Sequence, residues 1–155
     1  MKLRSASLAA VVAWGLSAMT ANAVELRGFR GVPWGAAPDS LGAAAVVAER
    51  GEVRCYRRER ENLLYGDSPI REVRFCFHRN HLFGVEIDSE VDQRTLRAEF
   101  QSSYGPPAFS VPSRASWGDQ STRARVEIVA PPTGSPASLH IFSNEFEPSE
   151  KHALQ

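Results

Sequence analysis

Beyond its first two dozen residues the chain has no apolar run approaching the ~20 residues that a membrane-crossing helix needs. It has no net charge either, with 18 Lys and Arg against 18 Asp and Glu, and so lacks the basic footprint of a nucleic-acid or anionic-membrane binder. Cysteine is scarce. Only Cys55 and Cys76 occur, too far apart for a CxxC redox pair and remote from any lipoprotein cleavage site. No serine sits in a G-x-S-x-G elbow, and neither cysteine has neighbours that would activate a nucleophile. These absences point away from catalysis, and no cofactor is expected.

What is present begins with an export signal. Met1-Lys2-Leu3-Arg4 supplies positive charge, Leu8 to Leu16 a short apolar stretch, and Ala21-Asn22-Ala23 the small residues that a signal peptidase reads. Residues 1–23 are therefore expected to be a signal peptide cut before Val24. The remaining 132 residues fit one domain, placed at 24–144, with a polar and flexible C-terminal tail at 145–155. Losing Lys2 and Arg4 leaves 16 basic against 18 acidic side chains. Export predicts a periplasmic or secreted protein with no stable membrane insertion after cleavage. It also places Cys55 and Cys76 where a disulfide persists, worth on the order of 3 kcal/mol by chain entropy. Two free buried thiols are the alternative.

The pattern along the mature chain predicts an α+β fold. Residues 24–30 alternate as a first strand, and Pro38, Asp39 and the alanines up to Glu49 read as a first helix stopped by Gly51. Antiparallel strands follow at 53–58, 70–78 and 82–88, with Val73, Phe75 and Phe77 of the second and Phe83, Val85 and Ile87 of the third alternating as in a sheet buried on one side. Arg79-Asn80 is a two-residue hairpin turn. Asp92 caps a second helix carrying Leu96, Phe100 and Tyr104 at four-residue spacing, ended by Gly105-Pro106-Pro107. Three more strands follow, at 115–117, 123–129 and 138–142. The expected order is thus strand, helix, three strands, helix, three strands: two helices packed on an antiparallel sheet, with a hint of a duplicated helix-plus-sheet unit.

Two short motifs carry a resemblance. Gly31-Val32-Pro33-Trp34-Gly35, with Pro38 after it, and Tyr104-Gly105-Pro106-Pro107 before Trp117-Gly118 resemble small bacterial periplasmic and envelope proteins with G-x-x-W-G and Y-G-x-P motifs. That resemblance implies a fold like those of beta-lactamase inhibitors or outer-membrane assembly factors, and a non-catalytic role. The chain departs from the pattern in having Ala36 and Ala37 where a capping Ser or Thr is common. No residue-level role transfers.

Candidate binding residues come from charge and aromatic placement. Arg54, Arg57, Arg58 and Arg60 crowd one strand and its exit, and Arg71, Arg74 and Arg79 its neighbour, with Glu52, Glu59, Glu61 and Glu72 interleaved. A basic sheet face centred on Arg57 and Arg74 would meet an acidic envelope protein or anionic envelope polymer; cross-strand ion pairing explains the same residues without a ligand. Trp34 and Trp117, each beside a glycine, are either exposed anchors or core aromatics. His78, His81 and, on a late strand, His140 offer three imidazoles for zinc, but without a tight ligand spacing His78 and His81 read as exposed turn residues. Glu86, Asp88, Glu90 and Asp92 suggest a general acid and base pair only until Glu86 and Asp88 are placed on the wet face of a strand. The expected function is a non-catalytic exported domain that binds a macromolecular partner. The alternatives are a secreted inhibitor presenting the loop from Pro131 to Pro136, and a histidine-based metal-binding protein or hydrolase.

Overall fold

The computed structural model describes residues 22–130 and 136–149. The proposed signal peptide therefore lies outside the described residues apart from Asn22 and Ala23, and so does most of the loop from Pro131 to Pro136. Asn22 caps a 3-10 turn, Ala23–Glu25, in which Ala23 is buried. The expected cleavage bond, between Ala23 and Val24, falls inside this turn.

The predicted first strand is instead a small hairpin, β1 (Gly28–Phe29) and β2 (Val32–Pro33). Arg30 and Gly31 both have positive φ, at 47° and 81°, as a two-residue turn of matching twist requires. The first helix is not formed. Pro38–Leu41 makes one 3-10 turn, Gly42 breaks it with φ at 70°, and Ala44–Arg50 runs on as strand β3. Alanine is the best helix former, but propensity differences of under ~1 kcal/mol per residue yield to tertiary pairing, and the β-branched pair Val46-Val47 works against a helix. A hairpin through Gly51, again at positive φ, decides the matter by pairing β3 with β4 (Val53–Arg58). The described residues are therefore mostly antiparallel β with a single α-helix among them, and not two helices on a sheet.

The other strands are β5 (Leu64–Tyr65), β6 (Ser68–His78), β7 (His81–Ser89), β8 (Phe109–Val111), β9 (Arg114–Trp117), β10 (Ala124–Val129) and β11 (Ser138–Ser143). In place of helix-plus-three-strand units, two four-strand meanders form one sheet in the order β3-β4-β6-β7-β11-β10-β9-β8. They join through the antiparallel pair β7 and β11, and β5 clips back onto the start of β6. The turn at Arg79-Asn80 is where the sequence puts it, with both residues at positive φ and His78 opposite His81.

One face of the sheet holds the main core. Val73, Phe75 and Phe77 of β6, Leu82, Val85 and Ile87 of β7, Leu139 and Ile141 of β11, and Val126 and Ile128 of β10 are all buried. Burying each such side chain stabilises the fold by ~1.5–3 kcal/mol. A bulge near Cys76 pairs Phe77 with Leu82 rather than Phe83. Phe83 therefore turns to the other face, where it packs with Cys55, Cys76, Val53, Phe142 and Phe146 in a second cluster.

Helix α1 (Gln93–Tyr104) covers the main core. Asp92 caps it by accepting from the Thr95 backbone N–H at 2.8 Å, and Leu96 and Phe100 are fully buried. Phe100 packs against Tyr104, Trp117 and Tyr65 with ring centroids at 4.5, 4.6 and 6.2 Å. Of the expected tail, residues 145–149 lie against the body. Phe146 packs over Gly35 and His81, where a Cβ on Gly35 would lie 2.5 Å from its ring, and both carboxylate oxygens of Glu147 accept from Arg125.

Candidate functional site

Cys55 and Cys76 are directly opposed in β4 and β6 and form a disulfide, with Cα atoms 4.0 Å apart. Such closeness belongs to the narrow, non-hydrogen-bonded positions of an antiparallel ladder. The bridge lies on the face away from α1, against Phe83. Among the described residues no helix is long and apolar enough to cross a membrane.

Just beyond the disulfide the two strands part. β4 pairs with β6 only from Val53 to Tyr56, so Arg57 and Arg58 leave the ladder while β6 continues toward Ile70. The loop at 59–63 fills part of the gap. Glu61 holds it there, almost fully buried, accepting from Arg30 Nη1 and from Arg58 Nε at 2.6 Å each. Burial pushes the Glu61 carboxyl up, but the two guanidiniums outweigh it and hold the pKa below the usual glutamate range. Arg30 also donates to the carbonyls of Asn62 and Leu64. Arg30 rests on Phe29 and Arg58 on Phe75, at 5.1 and 4.6 Å from the ring centroids, so the ion triad caps the end of the aromatic core.

What remains open is a cleft of about 460 Å³ lined by Ala45, Arg57, Arg58, Leu63, Arg71 and Val73, with Glu59 and Glu61 alongside. Its arginines differ in freedom. Arg58 is committed to Glu61. Arg57 is 58% exposed and meets Glu72 only at 3.4 Å, a weak surface contact. Arg71 sits at a register irregularity between Ile70 and Glu72, exposed and in no ion pair among the described residues. Leu63 and Leu64, each about half exposed, add apolar surface at the rim.

Arg74 stands apart from this cleft. It donates to Glu72 at 2.8 Å, Glu86 at 3.0 Å and Asp88 at 2.8 Å, so three carboxylates surround one cation. Arg57 and Arg74 thus share the Glu72 carboxylate but differ in freedom: the first borders an open basic cleft and the second is enclosed by acid on the wet face. Trp34 packs against the core and donates from Nε1 to the Leu26 carbonyl at 2.8 Å. Trp117 is 3% exposed and donates to the Gly105 carbonyl at 2.9 Å. Both indoles join loops to the core.

The histidines occupy three different settings. His78 lies 3.4 Å from Glu52, His81 contacts the Gly35 carbonyl at 3.1 Å, and His140 stands opposite Glu86 beside the Phe142 ring. Among the described residues no group of three or more His, Cys, Asp or Glu side chains is placed to hold a metal ion; His152 lies outside them. The sequence places Glu61 among the acids interleaved with the arginines but gives no sign of Arg30 as its partner, because that pairing spans 31 residues and leaves no local pattern. No family model, curated protein or solved structure matches the chain.

Proposed function

We propose that the protein is a non-catalytic, exported domain that binds a macromolecular partner outside the cytoplasm, through the surface around Arg57 and Arg71. The observation that supports it is the parting of β4 and β6 into a basic cleft with an apolar rim. Three features favour a ligand there over simple charge pairing. Arg57 and Arg71 are available, the cleft floor is apolar at Val73 and Ala45, and the Arg30–Glu61–Arg58 triad keeps the walls in place before any partner arrives. Preorganised walls lower the ordering cost of binding. An acidic protein segment fits better than a fully anionic polymer, because Leu63 and Leu64 would otherwise be covered by charge. The export signal and the Cys55–Cys76 disulfide support an extracytoplasmic site of action.

The test is capture from an extracytoplasmic extract by immobilised protein, run beside a variant carrying Arg57→Glu and Arg71→Glu. A partner held by the native surface and lost on charge reversal is the expected result. Retention of every captured protein by the variant contradicts the assignment of this surface.

A further inference from the structure

The cleft opens onto a sheet edge that nothing in the described structure covers. β3 is the outermost strand of the sheet, seven residues long, with all but Ala44 exposed. Its residues are mostly apolar, with Val46 and Val47 at 46% and 38% exposure. An edge of this kind presents a row of unpaired backbone N–H and C=O groups, and native proteins usually shorten or charge such edges. The opposite edge is shortened, since β8 has only three residues. Along β3 charge appears only at the far end, in Glu49 and Arg50.

We propose that β3 is a strand-addition site for an extended segment of the partner, one that carries an acidic side chain opposite Ala45. This rests on the partner-binding reading above and specifies where and how the partner binds. Ala45 is the cross-strand neighbour of Arg57, so the two side chains share one face of the sheet. A strand added outside β3 would place its own residue beside Ala45, about 10 Å from the Arg57 backbone at two strand spacings. Alanine leaves that gap open, and an extended arginine and a glutamate or aspartate together span it. Backbone pairing supplies affinity in this mode, and the side-chain contact supplies specificity.

The same geometry argues against a second copy of the chain as the occupant. Antiparallel self-pairing centred on Ala45 would bring two Arg57 side chains toward each other on one face. Self-pairing centred on Val47 would oppose two irregular segments, because the β3–β4 register shifts between Val46 and Ala48. An acidic partner strand laid along Ala44–Val46 meets neither obstacle.

The experiment is a selection of random nine-residue peptides, displayed on phage, against the disulfide-intact domain, repeated against Arg57→Glu. The enriched peptides are then mapped by amide chemical shifts and amide exchange. Expected are peptides of alternating apolar residues with Asp or Glu at one fixed position, perturbing the amides of Ala44–Val46 and protecting those among them whose N–H does not already donate to β4. On Arg57→Glu they should bind about tenfold more weakly, and its own selection should replace the acid by Lys or Arg. The variant must keep the native amide spectrum elsewhere; Arg57→Gln, expected to fall between the two, serves if it does not. Enrichment that ignores charge, shifts confined to other surfaces, a dimer formed through β3, or no enrichment at all would each overturn the strand-addition site. If a captured partner is still lost on reversing Arg57 and Arg71 while the β3 amides stay unperturbed, only the docking mode fails and the partner-binding reading stands.

Discussion

Replacing Glu61 by glutamine keeps the shape of the side chain and removes the one negative charge between the Arg30 and Arg58 guanidiniums. In the native protein that carboxylate is 5% exposed, while Arg30 and Arg58 are 21% and 20% exposed, so solvent screens the pair only in part. Removing one partner of a fully buried ion pair costs about 3–5 kcal/mol. Allowing for the partial exposure of the arginines, the loss at neutral pH should be about 2–4 kcal/mol. Urea unfolding followed by the fluorescence of Trp34 and Trp117 measures it directly. With a slope near ~1.5 kcal/mol/M, a loss of about 3 kcal/mol moves the midpoint by roughly 2 M. The pH dependence is the sharper check. The folded pKa of Glu61 lies below the unfolded value of about 4.3, so its stabilisation is fully present above that value and is lost as pH falls through the folded pKa. Wild type and variant should therefore converge in acid below that window and differ at pH 7. A difference below about 1 kcal/mol at pH 7, or one that persists unchanged in acid, would refute the role given to this triad.

Other consequences are read more simply. Cys55→Ala with Cys76→Ala, or reduction of the bridge, should destabilise the domain by about 3 kcal/mol, seen as a lower melting temperature that depends on reductant only in the wild type. Trp117→Phe keeps one aromatic ring in the core but removes the indole's second ring and leaves the Gly105 carbonyl without its donor, for an expected loss of about 2–4 kcal/mol in urea unfolding. Asp92→Ala removes the cap on the Thr95 N–H and should cost about 1 kcal/mol, with faster amide exchange confined to the first turn of α1.

Where local chemistry settled the structure, the sequence was legible. Arg79-Asn80 accepts positive φ at both positions between two alternating runs, and the β6–β7 hairpin follows. Asp92, then Leu96, Phe100 and Tyr104 on one helical face, specify α1. The stretch from Ala44 to Arg50 was illegible for a physical reason: its alanines favour a helix locally, and that preference is overridden by Gly42, Gly51 and pairing with β4. The misplaced Phe83 has a similar origin, since it is the extra residue of a bulge opposite Cys76 and Phe77, so that Leu82 and not Phe83 shares the face of Val85 and Ile87. At the site, residue type pointed to Arg57 and Arg74 alike. Only the register shows that Arg74 lies among Glu72, Glu86 and Asp88 while Arg57 borders the cleft.

Binding a partner outside the cytoplasm requires that the chain be exported and that its staple form. The direct measurement is the intact mass of protein recovered from the extracytoplasmic fraction of cells expressing the full chain, alkylated with and without prior reduction. The account predicts a chain beginning at Val24 whose two cysteines resist alkylation until reduced. An uncut chain with two freely alkylated thiols would contradict it.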